Sequence, residues 1–531
     1  MGHNFVVGGS ADQVFLLPPD AREWLPAGHL AWALLEQAGR VDMAPFLAGY
    51  RADGQGRPAY HPAVMVALVM YCYCKGVRSS RAIEMATFDD VGARVITGNL
   101  HPDHSTVARF VTRHERAVTG LLVASLVACA REGLVSVDVV AGDGTKVKAS
   151  ASMAANATGE QLDAQIAELE KLIEAEVSTW MEQARAEDAA EDALFGGDDG
   201  PGQGGGPGTL ARTAGKLVRR QQAKARLAGQ EAARQQDADA ALGDKAARLE
   251  ARARRHRARA ARLEEQAAAR VADYQRRAAE KAAAGSRKRP DGRVPVAGAD
   301  SAAVGRARQA AAKAERDLAA ARAAPAAPEP GRPGKANTTD PASRVMPGKH
   351  GGFLQGYNPQ VVAVRHQVIV SIGTHDSPAD VAALHPALAR SRANLDAAGI
   401  TSPIGRALFD AGYASDDNFT APCEAELYVA ITREARQTGR LRDGRQPRAM
   451  QDSWQQMAAR LDTPQGKALY RQRAAIIEPV FAQLFARLGR HLNYRDTRVD
   501  LELHLWAATH NILKAIRARA RRLATPAALA S

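Results

Sequence analysis

Three acidic residues stand where a carboxylate is hard to accommodate without a partner. Asp143 closes the run VSVDVVAGDG, whose β-forming residues predict a buried strand, and Asp410 closes the shorter run RALFD before the turn AGY. Glu478 lies in the apolar helical stretch IIEPVF. Because an unpaired charge is costly to bury, each carboxylate needs a turn, a proton or a cation beside it.

Two strands of one sheet that both end in aspartate can bring the two carboxylates together. Anions at close range repel, so the pair persists with a proton or a cation between them. Carboxylate oxygens suit Mg²⁺ or Mn²⁺, and two such ions about 3.5–4 Å apart support phosphodiester cleavage. The ordinary alternatives are an Asp-Gly turn after each strand and a half-exposed helical glutamate.

The elements before Asp143 are predicted to be helical. The apolar run VMVALVMYCYC at 64–74 predicts a buried helix that starts near Pro62. After GNLHPDHS, Asp103 or Ser105 is expected to cap a helix whose arginines, Arg109 and Arg113, lie between its apolar residues. The pattern fits a DNA-binding helix-turn-helix, and equally a small helical bundle with solvated arginines.

The stretch after Asp143 changes in composition. LDAQIAELEKLIEAEV predicts a helix with an apolar stripe, 191–208 is rich in glycine, and 209–323 is rich in alanine, arginine and glutamate. The thin apolar seam of this last part predicts a helical hairpin or a loose coiled coil, followed by a proline-rich linker. So long a connection between two core strands requires an inserted unit.

An α/β pattern follows residue 350. GFLQGYNPQVVAV and QVIVSIGTH predict two strands around a polar turn, and the next helix is expected to stop at Gly399. RALF and ELYVAIT predict further strands, and LELHLWAATHNILKAIRARARR predicts a basic final helix. Glu478 is expected in the first turn of its helix because Pro479 follows it, with Glu502 as the next acid in a helix.

The charge balance favours a polyanionic partner. Lys and Arg number 71 against 58 Asp and Glu, which gives a net charge of +13. Nucleic acid ranks ahead of membrane, although a GC-rich genome also encodes much arginine. Four cysteines without zinc or disulfide spacing, and no signal-peptide pattern, predict a cytoplasmic setting, and the apolar run 64–74 is too short to span a bilayer.

The sequence resembles the DDE-type transposases of bacterial insertion sequences over nearly its whole length. The resemblance rests on GRPAYHPAVMVALVMYCYCKGVRSSRAIE, HSTVARFVTRHE, DGTKVKASAS, TTDPASRVM, GGFLQGYNPQVVAV, DAGYAS, YRQRAAIIEPVFAQLFARLGRHLNYR and THNILK. It implies an α/β catalytic core of RNase H-like fold, in which Asp143, Asp410 and Glu478 hold two Mg²⁺ or Mn²⁺ ions. Two positions depart from the pattern: Phe485 stands where many relatives have lysine, and Gly142 where a bulkier apolar residue is usual.

The resemblance also implies an architecture. A helical DNA-binding domain would span 1–134, the catalytic domain 135–152 and 336–525, and a helical insertion 153–335. The implied activity is binding of double-stranded DNA at terminal inverted repeats, metal-dependent cleavage and strand transfer, by a homodimer associated with the nucleoid. A nuclease without strand transfer and an inactive DNA-binding derivative are the alternatives. The candidate DNA contacts are Arg109, Arg113, Lys146, Arg473, Arg487 and Arg490.

Overall fold

The structure is a computed structural model that describes residues 20–48, 50, 58–195, 208–283, 289–290, 293–323, 334–348, 351–375, 377, 379–431 and 452–524. Two compact units are present, one formed by Met1–Asn156 with Asn337–Ser531 and the other by Ala157–Ala336. Most of the glycine-rich loop and most of the proline-rich linker expected from the sequence fall outside the described residues.

The first part of the first unit is helical, as predicted. Its helices are α1 (Ala21–Trp24), α2 (Leu30–Ala38), α3 (Ala44–Leu47), α4 (Pro62–Cys74), α5 (Ser80–Asp89), α6 (Val91–Thr97), α7 (His104–Arg113), α8 (Glu115–Thr119) and α9 (Leu121–Arg131). Nearly every residue of α4 is buried, which explains its apolar sequence. Asp103 caps α7 by accepting a hydrogen bond from the Thr106 backbone N–H at 2.8 Å.

A mixed sheet follows these helices. Its strands are β1 (Val139–Gly144), β2 (Val147–Lys148), β5 (Arg344–Pro347), β6 (Phe353–Val364), β7 (Ile369–His375), β8 (Arg406–Phe409) and β9 (Glu426–Val429). The short strands β3 (Asn156–Ala157) and β4 (Ala336–Asn337) form a separate pair. In the main sheet β1 lies between β6, to which it is antiparallel, and β8, to which it is parallel. The first strand of the sheet is therefore central and buried on both faces.

Helices cover the sheet. They are α13 (Leu384–Ala397), α14 (Asp416–Thr420), α15 (Asp452–Asp462), α16 (Pro464–Leu488) and α17 (Arg498–Ala524). Helix α17 packs against β7 on one side and against α4, α8 and α9 on another. Asn511 makes the junction, because its amide bonds both backbone groups of Ile369 and the Ser125 hydroxyl. The N-terminal helices and the sheet thus share one core.

The second unit consists mainly of long helices: α10 (Gly159–Phe195), α11 (Gly208–Ala283) and α12 (Ala302–Ala323). Helix α10 packs against the first part of α11, and α12 packs against a later part. The expected helical N-terminal region, mixed sheet with helices and long helix are all present. None of the described helices combines the length and the apolarity that a bilayer-spanning segment needs.

Candidate active site

Asp143 and Asp410 end neighbouring parallel strands, and one arginine contacts both. The Nη2 atom of Arg473 lies 2.9 Å from Oδ2 of Asp143 and 3.8 Å from Oδ2 of Asp410. Asp410 also caps the turn after β8, since its Oδ1 accepts the Gly412 N–H at 2.9 Å. The structure therefore brings the two aspartates together, as the two strand patterns predicted.

The electrostatics of this pair follow from burial. Burial raises the pKa of Asp143 to about 6, against the opposing charge of Arg473, and the carboxylates of Asp410 and Asp380 add to the rise. The Nε and Nη2 atoms of Arg473 are buried without an aligned hydrogen-bond acceptor among the described residues. The guanidinium thus balances charge while keeping donors available.

The glycines around Asp143 are explained by what lies against them. A Cβ at Gly144 would stand 2.4 Å from Oδ1 of Asp380, and a Cβ at Gly142 would stand 2.1 Å from the Phe409 ring. Gly144 therefore leaves room for a second carboxylate beside Asp143. The Phe409 ring fills the space that a bulkier residue at 142 would occupy, which accounts for that departure from the family pattern.

Asp380 is a site residue that the sequence interpretation missed. Its Oδ1 accepts hydrogen bonds from the side-chain amides of Asn358 at 2.8 Å and Gln360 at 2.7 Å. Gln360 in turn accepts a hydrogen bond from the Tyr413 hydroxyl, in the turn after Asp410. The available sequence signal was weak: Asn358 and Gln360 are among the polar side chains that precede the apolar end of strand β6.

Helix α16 carries Tyr470, Arg473 and Glu478. The Tyr470 hydroxyl donates to the carbonyl of Phe409 at 3.1 Å, which anchors the helix on the end of β8. Arg473 lies one turn further along and reaches the aspartates. Glu478 is exposed and has no hydrogen bond or ion pair with any described residue.

The predicted position of Glu478 in the first helical turn is wrong. Helix α16 begins at Pro464, after Thr463 caps it, so Glu478 and Pro479 lie well inside the helix. Proline lacks an N–H, and it leaves the carbonyl four residues earlier without its helical partner. That carbonyl, of Ala475, accepts a hydrogen bond from the Gln367 side chain at 3.3 Å, so a tertiary contact replaces the missing one.

An open cavity of about 1060 Å³ adjoins the site. Its acidic and basic lining residues are Asp143, Asp380, Glu478, Lys146, Lys148 and Arg490. Asp410 lies outside this lining and reaches the site through Arg473. The cavity thus combines acids on one part of its wall with cations on another, which suits a phosphodiester next to a metal.

The candidate DNA contacts near the cavity differ in placement. Lys146 is half-buried and donates to the Pro347 carbonyl at 3.1 Å, and Arg490 lies over the Phe485 ring at 4.2 Å. A cation therefore stands beside the position where relatives have lysine. Arg487 does not line the cavity, and burial lowers its pKa against the opposing influence of Cys74.

The arginines of α7 are on the surface of the N-terminal helices. Arg109 is exposed and donates to the Ser105 hydroxyl at 3.3 Å, and Arg113 lies over the Tyr50 ring at 5.0 Å. The opposite side of the helix, formed by Val107, Phe110 and Val111, is buried. A short loop joins α6 to α7, so a helix-turn-helix geometry and an ordinary bundle both remain compatible with this arrangement.

Glu502, the alternative third acid expected from the sequence, does not line the cavity. Its side chain is fully buried and pairs with Nη1 of Arg78 at 2.9 Å, and it also accepts the backbone N–H groups of Asn493 and Tyr494. Arg78 packs over Trp506 and donates to the His491 carbonyl at 2.8 Å. This ion pair joins the segment after α4 to α17 and is structural.

The donor chemistry fits a divalent cation in part. Asp143 and Asp410 supply hard oxygen ligands within reach of one guanidinium nitrogen, the place a small cation would take. Over the described residues, no group of three or more His, Cys, Asp or Glu side chains is gathered closely enough to hold a metal ion. The third acid, Glu478, lines the same cavity as Asp143, but the two carboxylates do not form a close cluster with Asp410.

Comparison with known families decides the identity. Residues 19–113 match a transposase domain (DUF772), and residues 433–516 match a transposase DDE domain. These two matches support the identification of the chain as a DDE-type transposase of insertion sequences. The first match covers the helices up to α7, and the second contains Arg473 and Glu478, whereas Asp143 and Asp410 lie outside both. No curated protein and no solved structure matches this transposase.

Proposed function

We propose that this transposase binds the terminal inverted repeats of its insertion sequence, cleaves the strands and joins the freed 3′-hydroxyl to target DNA. The observation that carries the proposal is the pair Asp143 and Asp410 at the ends of adjacent parallel strands, with Arg473 within 4 Å of both. The position of the first acid on the central strand of a mixed sheet supports an RNase H-like core.

In this proposal Asp143, Asp410 and Glu478 hold Mg²⁺ or Mn²⁺. A bound divalent pair would activate the attacking oxygen and stabilise the leaving oxygen. Lys146, Arg473 and Arg490 would hold the phosphates beside the acids, because guanidinium and ammonium groups neutralise the DNA backbone. Arg487, away from the cavity, is the weakest of the proposed contacts.

A plasmid excision assay tests the proposal. With purified protein, Mg²⁺ and a plasmid that carries the element's ends, we expect excised and rejoined products. Cut ends without joined products would favour a nuclease that lacks strand transfer. Binding without cutting would favour an inactive derivative. In this proposal the transposase acts at the nucleoid, and a homodimer pairs the two element ends.

Replacing Arg109 and Arg113 with alanine is expected to weaken binding to the element's ends by about 1–3 kcal/mol for each true base contact. Both side chains are exposed, and the buried side of α7 is formed by Val107, Phe110 and Val111 instead. The measurement is a gel shift with end DNA, and Arg131→Ala on α9, also exposed, is the control. Unchanged affinity at moderate salt would remove α7 from the end-binding surface.

Replacing Asp380 with alanine is expected to lower cleavage by about 10- to 100-fold, as for residues that orient catalytic groups. The variant loses the acceptor that holds Asn358 and Gln360, and with it the link to the turn after Asp410. Asp380→Asn keeps an oxygen acceptor and should retain more activity.

Single-turnover cleavage at several Mg²⁺ concentrations makes the measurement, and Asp417→Ala, an exposed acid of α14, is the control. Equal loss in the alanine and asparagine variants would show that the charge of Asp380 matters more than its hydrogen bonds. Parent-like rates in both would show that Asp380 has no part in the site.

A further inference from the structure

Helix α11 carries a row of arginines along one side. Arg252, Arg255, Arg259 and Arg262 are spaced by three, four and three residues, which places them on one face of a helix. All four side chains are exposed. These four residues form the arginine stripe.

Helix α12 packs against the opposite face of α11. Ala253 packs with Ala314 and Leu318 in a small apolar cluster. Three interhelical ion pairs flank this cluster: Arg257 with Glu315, Arg308 with Glu264, and Arg322 with Glu250. The pairing runs in opposite directions along the two helices, so α11 and α12 are antiparallel and the stripe faces away from their contact.

The stripe differs from several neighbouring arginines of α11 in having no partners among the described residues. None of its members makes a hydrogen bond or an ion pair with a described residue. By contrast, Arg254 pairs with Glu250 at 2.6 Å, and Arg276 and Arg277 both pair with Asp273. Glu250 and Asp273 thus pair with arginines outside the stripe, and the four stripe guanidinium groups have no ion-pair partner among the described residues.

We propose that the arginine stripe binds the phosphate backbone of duplex DNA, an inference that rests on the proposed function in so far as DNA is the substrate. From the first to the last arginine the stripe is about 15 Å long. B-DNA exposes about nine phosphates over that length of axis. Each guanidinium offers a donor fork that matches phosphate oxygens. The inserted unit would therefore hold DNA without regard to base sequence.

The surroundings of the stripe disfavour other polyanionic or acidic partners. A helix that lies on a membrane needs a broad apolar face with large side chains. Here the residues between the stripe and α12 are mainly alanine, and Ala253 and Ala260 are buried. An interface with an acidic protein would be expected to carry aromatic or aliphatic anchors, and residues 251–262 contain none.

The test compares two triple variants of the full chain with the same change in charge. The stripe variant carries Arg252→Gln, Arg255→Gln and Arg259→Gln, and the control carries Arg254→Gln, Arg276→Gln and Arg277→Gln. Binding to a random-sequence duplex that lacks the element's ends is followed by fluorescence anisotropy, with chelator present, between about 50 and 200 mM salt. Circular dichroism checks that both variants keep the helical content of the parent.

In the stripe variant, the slope of log K against log salt is expected to be shallower by about 2.7, since each lost phosphate contact removes about 0.9. The control should keep the parent slope. Equal slopes in all three proteins, or equal changes in both variants, would overturn the inference. If the parent protein binds double-stranded RNA of the same length more strongly than DNA, DNA is not the partner of the stripe.

Failure of the inference and failure of the proposed function are distinguishable. If the parent cuts and rejoins the plasmid while the stripe variant keeps the parent slope, the transposase function stands and the stripe has no DNA role. If the parent neither binds DNA nor cuts it, the proposed function itself fails, and the inference falls with it.

Discussion

Asp143→Asn is expected to lower strand cleavage on the order of 10³-fold while DNA binding and folding persist. The substitution removes one of the charges that would hold the cation between β1 and β8. The fold should tolerate it, because burial already raises the pKa of Asp143 to about 6 and a neutral side chain suits that environment. Asp410→Asn and Glu478→Gln should have comparable effects on cleavage.

Double variants of these acids should be no slower than the single ones, because residues that act as one site do not contribute additively. The measurement is single-turnover cleavage of end DNA, with binding and thermal melting recorded for each variant. Asp138→Asn is the matched control, since Asp138 immediately precedes the same strand but bonds only to Ser136 among the described side chains.

The Glu478→Gln variant tests whether Glu478 is a metal ligand or only a helix-capping residue. Glu478 is exposed, makes no described contact and lies inside α16, so it has no capping role to lose. If Glu478→Gln cuts at nearly the parent rate, Glu478 is not the third ligand. Asp380 would then be the next acid to test, since it adjoins Asp143 and shares the cavity, whereas Glu502 is buried with Arg78.

Arg78→Met is expected to destabilise the first unit by about 3–5 kcal/mol, because it leaves the buried carboxylate of Glu502 without its charged partner. The same change at Lys75, whose side chain is 48% exposed in its pair with Asp90, should cost no more than about 1 kcal/mol. Urea unfolding of the full chain, followed by fluorescence, makes the comparison.

A second substitution tests the cause of that loss. Adding Glu502→Gln to Arg78→Met should recover part of the stability, since the buried charge is removed while one acceptor oxygen remains for the backbone N–H groups of Asn493 and Tyr494. A loss for Arg78→Met as small as that for Lys75→Met would show that the buried pair does not hold the N-terminal helices against α17.

The contacts of Arg78 and Asn511 join the N-terminal helices to the rest of the first unit. The helices that match the transposase domain and the sheet that bears Asp143 share one compact unit. Asn511 and Arg78 both cross this junction. A change at either residue is therefore expected to affect the helices and the mixed sheet together.

Local sequence alone determined the elements whose signals lie within a few residues. The β-forming run before Asp143, the apolar run of α4 and the Asp103 cap all appear where they were predicted. Each depends on side-chain alternation, helical spacing or a single capping bond. The aspartates Asp143 and Asp410 were found because a carboxylate that follows directly on a strand is visible in the sequence.

Tertiary structure decided the features that depend on contacts between distant segments. Asp380 lies in a polar stretch of ordinary composition, and it joins the site because Gly144 and two amides of β6 make room for it and hold it. Helix α16 starts after the Thr463 cap and not near Pro479, because a hydrogen bond from Gln367 in a distant turn to the Ala475 carbonyl compensates for the proline inside the helix. Likewise, ion pairs with acids of α11 and α12 separate Arg254, Arg257, Arg276 and Arg277 from the arginine stripe, since charge compensation depends on which acids lie within reach in space.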